Sequence, residues 1–460
     1  MAGKSYGLAP KDVPKIKTRY RRIHTRIPVP QSIPILKELR KYEPRSMSGQ
    51  PLVLWERASG CQVYDRWGNM WLDWSSGVLV TNAGHGRKEI ADAICAQARK
   101  PMLHNYCFPS ELRAKLTKRL ADFAPRKLSK VFLLTTGGET TECAIKLART
   151  YGRGIGGDRK IGIVSFEGAF HGRTMGSQMI GGLPALKEWI VNLDPAMWQV
   201  PFPDGYWCED TSFDFFLKNL ERQGVTPDMI AGVISETYQG GGASFMPKEF
   251  VQKLAAWCKQ HKIVLIMDEV QAGFGRTGKK FGFMHYGIVP DLVCCGKGIS
   301  SSLPISAVIG RADLMDLYPP GSMTSTHTGN PICCVAALAN LDIIEKGKLW
   351  ERAARLGRIL DRKMKALRAK YPKVIGAVHG KGLVSALHII KDGRKEADPD
   401  LAFDIVEKCV EKGLLLFSPV GRATVKIAPP LIVNEEQLNE GAQALDEAIA
   451  EAIRARRTPG

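Results

Sequence analysis

From about residue 81 onward, stretches with the 3.6-residue periodicity of helices alternate with short, wholly apolar runs: VFLL at 131–134, IGIVSF at 161–166, MIAGVIS at 229–235, IVLIMD at 263–268 and DLVCC at 291–295. Runs that are apolar at every position, rather than at alternate ones, predict strands buried on both faces, as in parallel sheets covered by helices. The alternation therefore predicts an α/β domain with a mostly parallel sheet. Upstream, CQVYDRWGNMWLD at 61–73 alternates apolar positions around residues 65–69, which predicts a hairpin in a small sheet. Downstream of Pro331 a helical stretch runs to about residue 370, and strands are expected at 383–390, 414–417 and 424–427 between further helical patterns. The expected division is 1–80 for a basic arm and a small-domain segment, 81–345 for the large domain, and 346–460 for the remainder of a smaller α+β domain built from both chain ends.

Sheets of this kind bind ligands outside the carboxyl ends of their strands, so the residues that follow the apolar runs are the candidates for chemistry. After 131–134 comes TTGGETTECAIKLAR, where Gly137 and Gly138 either just form the turn or bare amides at a helix N-terminus for an anion such as phosphate. After 161–166 comes GAFHGRT: Phe170 can plug the core or lie flat on a ring, and Arg173 can be solvated or clamp a carboxylate, with His171 between them. Asp268, at the end of IVLIMD, can cap a turn. It can equally keep a heterocyclic nitrogen protonated, as pyridoxal phosphate (PLP) requires, because only the pyridinium withdraws electrons strongly from a substrate α-carbon. Gln271 and Val270 follow within reach of a phenolic oxygen and a ring face. Lys297 stands between Gly296 and Gly298 in a loop between buried runs. A lysine there is either solvated or condensed with an aldehyde as a Schiff base, later shuttling a proton between carbons.

Composition narrows the classes. At 460 residues, 44% apolar and 24% charged, the chain is in the globular range and large enough for a buried site. No apolar run reaches the length of a membrane span and no secretory leader is evident, so a cytoplasmic protein without membrane contact is expected. Eleven cysteines without a framework fit a reducing compartment, and no Cys-x-x-Cys pair or His cluster has ligand spacing, so no metal is expected. The net charge of +19 raises nucleic acid as a partner, but the basic residues lack aromatic interleaving, and attraction of anionic cofactor and substrate accounts for the charge without it. The first 45 residues hold twelve Lys or Arg against three acids and are read as a surface-hugging arm. GFGRTGKK at 273–280 nearly spells a phosphate-binding loop, but Lys280 stands where a metal-binding Ser or Thr is required.

Taken together and in this order, the segments from about 52 to 439 resemble the class III aminotransferases, PLP enzymes of fold type I. DEVQAGFGRTG with a Lys-Gly pair 29 positions after its Asp carries most of the resemblance. It implies PLP held by Gly137 and Gly138 at the phosphate, Phe170 and Val270 on the two ring faces, His171 beside them and Glu236 supporting the cofactor environment. It further implies Asp268 at the ring nitrogen, Gln271 at the phenolate oxygen and Lys297 at the aldehyde. THTGNP at 326–331 is similar to the family's Thr-aromatic-Gly-Gly-Asn-Pro loop, whose Thr reaches the phosphate of the neighbouring subunit. Thr326 then implies shared active sites in a homodimer or a dimer of dimers, although His327 and Thr328 replace an aromatic and a Gly.

Two further departures concern substrate. Glutamate-dependent members carry Glu-Pro-x-Gln-Gly-Glu and a late Arg shortly before Pro-Pro-Leu; here Gly241 replaces the second Glu and Lys426, in VKIAPPL at 425–431, the Arg. A point charge replaces a planar fork and its acidic partner is gone, so carboxylate recognition through Lys426 is expected to differ, while Arg173 is retained. The function implied is transfer of an amino group from an amine or amino acid to a 2-oxo acid. Racemisation or epimerisation is the runner-up, decarboxylation the third reading, and an inactive scaffold the non-enzymatic one.

Overall fold

The computed structural model describes residues 4–457. The chain forms two compact units, one of Lys88–Glu351 and one of Met1–Arg87 with Arg352–Gly460.

The continuous unit is built on a seven-stranded sheet of β1 (Lys130–Leu134), β2 (Gly162–Phe166), β3 (Met197–Val200), β4 (Ile230–Glu236), β5 (Val264–Asp268), β6 (Leu292–Cys295) and β7 (Ser306–Gly310). Its order is β1-β7-β6-β5-β4-β2-β3. Strand β7 is antiparallel to β1 and β6, and the remaining pairs are parallel. All residues of β2, β4, β5, β6 and β7 are buried, whereas β1 and β3 are partly open, because only the outer strands have a free edge. That is the physical origin of the unbroken apolar runs, and all five expected strands are present. Strands β3 and β7 lie outside that expectation.

Helix α1 (Gly137–Gly156) lies across β4, β6 and β7, burying Ala144, Leu147 and Ala148 against Ile163, Ile234, Leu292 and Val308. A Cβ on Gly152 would stand 2.6 Å from the Ala231 side chain, so glycine sets how closely this helix approaches β4. Downstream the expected single helical stretch is two helices, Pro331–Lys346 and Leu349–Lys370. The break falls at Gly347 and Lys348, the latter with φ 44°.

In the other unit the expected hairpin is present, with Gln62–Tyr64 antiparallel to Met70–Asp73. Its sheet also takes in Ile16–Lys17, Arg22–Ile23 and Arg57–Ser59, and Leu414–Leu415 pairs in parallel with Met70–Asp73. Most residues of the basic arm are exposed, but strand pairing and a few buried side chains anchor it. Ile23 and Ile27 pack with Val63, Trp71 and Val410, and buried Arg21 donates to Glu440 (2.9 Å) and to the Lys412 carbonyl (2.8 Å). A second antiparallel sheet joins Ile375–Gly380, Ser385–Ile389 and Thr424–Ile427. Helices Pro399–Glu411 and Glu435–Arg457 pack on each other. Among the described residues no helix is long and apolar enough to cross a membrane.

Two helical glycines should respond oppositely to alanine. At Gly441 a Cβ would lie 2.2 Å from the buried Trp74 ring, whereas at Gly154 nothing lies within 4 Å. Gly441→Ala is expected to destabilise by about 1–3 kcal/mol through overpacking, and Gly154→Ala to stabilise by about 0.5–1 kcal/mol through the unfolded chain. Urea midpoints of the two variants check the signs.

Candidate active site

Parallel pairing aligns strand ends. Asp268 is the Cα partner of Glu236 on one side and of Cys294 on the other, so β4, β5 and β6 deliver their last residues to one place. A cavity of about 210 Å³ opens there, lined by Gly137, Gly138, Phe170, His171, Gly172, Glu236, Asp268, Val270, Gln271 and Lys297. The structure thus brings nine of the expected site residues together.

Asp268 is oriented through both oxygens: Oδ1 accepts from the Val270 amide (3.0 Å) and Oδ2 meets His171 Nδ1 (2.8 Å). His171 is fully enclosed, and its Nε2 is buried without a partner. Burial disfavours the imidazolium, but the hydrogen bond and charge of Asp268, with Glu236 behind it, outweigh this and raise its pKa. Thr141, one turn into α1, donates to the His171 carbonyl (2.8 Å) and fixes the loop. Glu236 accepts from the amides of Phe170 (3.0 Å) and Gly240 (2.8 Å), so it holds in place the backbone that carries the Phe170 ring. Burial pushes its carboxyl up to about 7, with His171 opposing.

The loop after β1 enters α1 through a capping box. The Thr136 hydroxyl accepts from the Glu139 amide (3.3 Å), and the Glu139 carboxylate accepts from the Thr136 amide (2.8 Å). Gly137 and Gly138 then occupy the first two helical positions, whose N–H groups have no intrahelical acceptor and sit at the positive end of the helix dipole. A Cβ on Gly137 would lie 3.1 Å from a Val270 methyl, and one on Gly296 3.3 Å from it, so these glycines let Val270 stand back as one wall. Gly172, at φ 138°, approaches Gly138 so closely that a Cβ would lie 2.8 Å from its Cα.

Lys297 has φ 42°, a left-handed conformation costing a non-glycine residue about 1–3 kcal/mol. Asn340, buried within the helix Pro331–Lys346, holds the loop by donating to the carbonyls of Gly298 (2.8 Å) and Ile299 (2.9 Å). Burial lowers the pKa of the Lys297 amine, opposed by the charges of Asp268 and Glu236. Asn340, Thr141 and Gly172 were not singled out from the sequence. Gly172 sits inside the GAFHGRT motif, and a lone Asn within the otherwise apolar PICCVAALANLDII was the available signal for Asn340.

The other candidates are not among these lining residues. Arg173 is exposed, its guanidinium 5.7 Å from the Phe170 ring. Thr326 is exposed on the turn that precedes Pro331. Lys426 belongs to the unit made by the chain ends, buried in Thr424–Ile427 opposite Ala386. GFGRTGKK forms turns, with Arg276 fully buried and Lys280 set over the rings of Phe123 (4.6 Å) and Trp350 (5.4 Å).

A buried amine, an oriented carboxylate and a pair of anion-ready helical amides fit the three handles of pyridoxal phosphate: aldehyde, ring nitrogen and phosphate. On a mostly parallel sheet, this is the architecture of the fold-type-I PLP enzymes. Residues 45–449 match the family model for class-III aminotransferases. A probable 4-aminobutyrate aminotransferase of Bacillus subtilis is 33% identical over 414 residues, covering 85% of this chain and 92% of that one. A 5-aminovalerate aminotransferase of Pseudomonas aeruginosa is 34% identical over 433 residues, covering 91% and 98%. Among solved structures, a Bacillus anthracis aminotransferase superposes with a TM-score of 0.82 at 29% identity, covering 92% of this chain and 99% of that one. The chain belongs to the class-III aminotransferases, and it is a PLP-dependent enzyme acting on an amine or amino acid and a 2-oxo acid.

Beside the cavity, Glu269 accepts from the Gly282 (2.7 Å) and Phe283 (2.8 Å) amides and from the Thr237 hydroxyl, yet burial raises its pKa from 4.5 to about 7. Between those values the fold keeps a proton that the unfolded chain has released. Its stabilising contribution is therefore complete below pH 4.5 and is lost as the pH rises to about 7. The stability difference between wild type and Glu269→Gln is expected to fall across that window by on the order of 3 kcal/mol. Urea titrations of both apo proteins at several pH values check it, and a constant difference rules it out.

Proposed function

We propose that Lys297 carries PLP through its amine and afterwards moves the substrate proton, while Asp268 binds the ring nitrogen. Gly137 and Gly138 take the phosphate, Phe170 and Val270 flank the ring, and Gln271 meets the phenolic oxygen. The bound group supplies a reactive aldehyde and a pyridinium that draws electrons from the substrate α-carbon. The observation that carries this reading is the convergence of Lys297 and the His171-oriented Asp268 carboxylate on one cavity. Burial of Lys297 favours its neutral amine, the form able to attack a carbonyl and to accept a proton. The His171 contact and the Val270 amide keep both oxygens of Asp268 aimed, so a ring nitrogen meets an acceptor that needs no rearrangement. Glu236 acts at one remove, by holding the backbone under Phe170.

Arg173, next to Phe170, is assigned to a substrate carboxylate by its planar bidentate fork. With Gly241 and Lys426 in place of an acid–arginine pair, carboxylate recognition departs from that of glutamate-dependent members. Thr326 is assigned to the phosphate of a neighbouring subunit, which makes the enzyme a homodimer, or a dimer of dimers, with shared sites. Eleven free thiols support a reducing, cytoplasmic setting.

The test is a panel of amines and amino acids incubated with and without 2-oxo acids. Amino transfer that requires the oxo acid is expected; loss of optical activity without oxo acid and without transfer overturns the reading. Lys297→Ala should lower turnover by roughly 10²–10⁴-fold, and borohydride-treated wild type should carry its adduct on the peptide containing Lys297. Arg173→Ala should raise KM for carboxylate-bearing donors and leave neutral amines nearly unchanged, and equal losses on both remove its role.

A further inference from the structure

We infer that Thr328 is a positioning residue that sets the turn bearing Thr326, and so governs how firmly cofactor phosphate is held; the inference rests on the assignment of Thr326 to a neighbouring subunit's phosphate.

The Thr328 amide donates to the Ser325 carbonyl (3.2 Å) and closes a four-residue turn whose corners are Thr326 and His327. Both corners are exposed, while Thr328 is buried. Its side-chain hydroxyl donates to the carbonyl of Leu133. Leu133 belongs to β1, which ends the sheet with β7 as its single ladder partner, so a carbonyl facing away from β7 needs a donor from outside the sheet. The Thr328 hydroxyl supplies one. Four residues past Leu133 stands Gly137, and on the way the Thr136 carbonyl accepts from the Ser306 hydroxyl (2.8 Å). The segment leading into the phosphate turn is thus clamped to β7 and to the Thr326 turn.

The remaining ties lie at the base of that turn, apart from the His327 ring, which stands 5.5 Å from the ring of His104. Asn330 caps the helix Pro331–Lys346 through the Ile332 amide (2.9 Å) and donates to the Leu103 carbonyl (2.9 Å). Gly329, at φ 61°, admits the Arg113 side chain, since a Cβ would lie 2.8 Å from its Cδ. Arg113 in turn donates to the carbonyls of Tyr106 (3.1 Å) and Cys107 (2.9 Å). Among the described residues, the Thr328 hydroxyl bond to Leu133 is what joins the turn to the strand that feeds its own subunit's Gly137–Gly138 site. A Gly at this position, as in the family's loop, has no hydroxyl for that bond, so the clamp belongs to the residue this chain has substituted.

The test is a double-mutant cycle read as the PLP dissociation constant, by fluorescence titration of the full-length apo protein. Thr328→Val is expected to weaken PLP roughly five- to tenfold, the worth of one buried hydrogen bond. Thr328→Ser, which keeps the hydroxyl, should stay within about twofold of wild type. Thr326→Ala should weaken PLP by itself, and Thr326→Ala with Thr328→Val should be no weaker than Thr326→Ala alone, because Thr328 acts through the turn. Additive losses, or an unchanged constant in Thr328→Val while Thr326→Ala is impaired, overturn the inference. An unchanged constant in Thr326→Ala overturns instead the assignment of Thr326. Should Thr328→Val fail to fold, Thr328→Ala removes the same hydroxyl without a branched methyl and is read in the same way.

Discussion

Four ionisable side chains, buried Glu236, Asp268 and His171 with half-buried Lys297, meet at one cavity at the ends of adjacent strands, and their mutual compensation is the constraint around which the rest is arranged. An isolated charge in such a place is strongly disfavoured, and breaking one member of a buried set costs several kcal/mol, about 3–5 for a pair. Here burial lifts Glu236 and depresses Lys297, while the His171–Asp268 contact works in the opposite sense and favours the ion pair. Burial thus favours the neutral form of the Lys297 amine, the form that can accept a proton.

Keeping them there is the work of backbone geometry. Parallel register fixes Asp268 beside Glu236 and Cys294, and the capping box fixes where α1 begins. Glycines at 137, 172 and 296 remove side chains from the places where Val270, Gly138 and a ligand must come close. The left-handed Lys297 is tolerated because Asn340 holds the two carbonyls that follow it, so strain at the reactive residue is balanced from a helix that touches none of the chemistry.

What the sequence revealed follows from burial. Strands such as IVLIMD and MIAGVIS were readable because both of their faces are covered, whereas MWQV at 197–200 is a half-open edge strand with a Gln in it, and SAVIG at 306–310 follows a Ser-rich, Pro-containing loop. The anchoring of the arm is hidden for a related reason: a run of cations masks the apolar Ile23 and Ile27, and nothing local shows that Arg21 finds Glu440. In the site, each residue immediately following an apolar run was legible. Asn340 was not, and Thr328 was visible only as a departure from a family glycine, since what these two side chains do depends on carbonyls 42 and 195 positions away.

The pairing of Leu414–Leu415 with Met70–Asp73, and of the Trp71 indole with the Val410 carbonyl 339 positions distant, bears on the order of assembly at the ribosome. The segment Lys88–Glu351 is contiguous and can close its sheet as soon as it has emerged, but the hairpin made before it must wait for a strand translated near the end. During that interval the apolar face around Ile23, Val63 and Trp71 has no cover. At an elongation rate of about 5–20 residues per second, the gap lasts tens of seconds or so, long enough for a chaperone to be the natural guardian of the nascent chain.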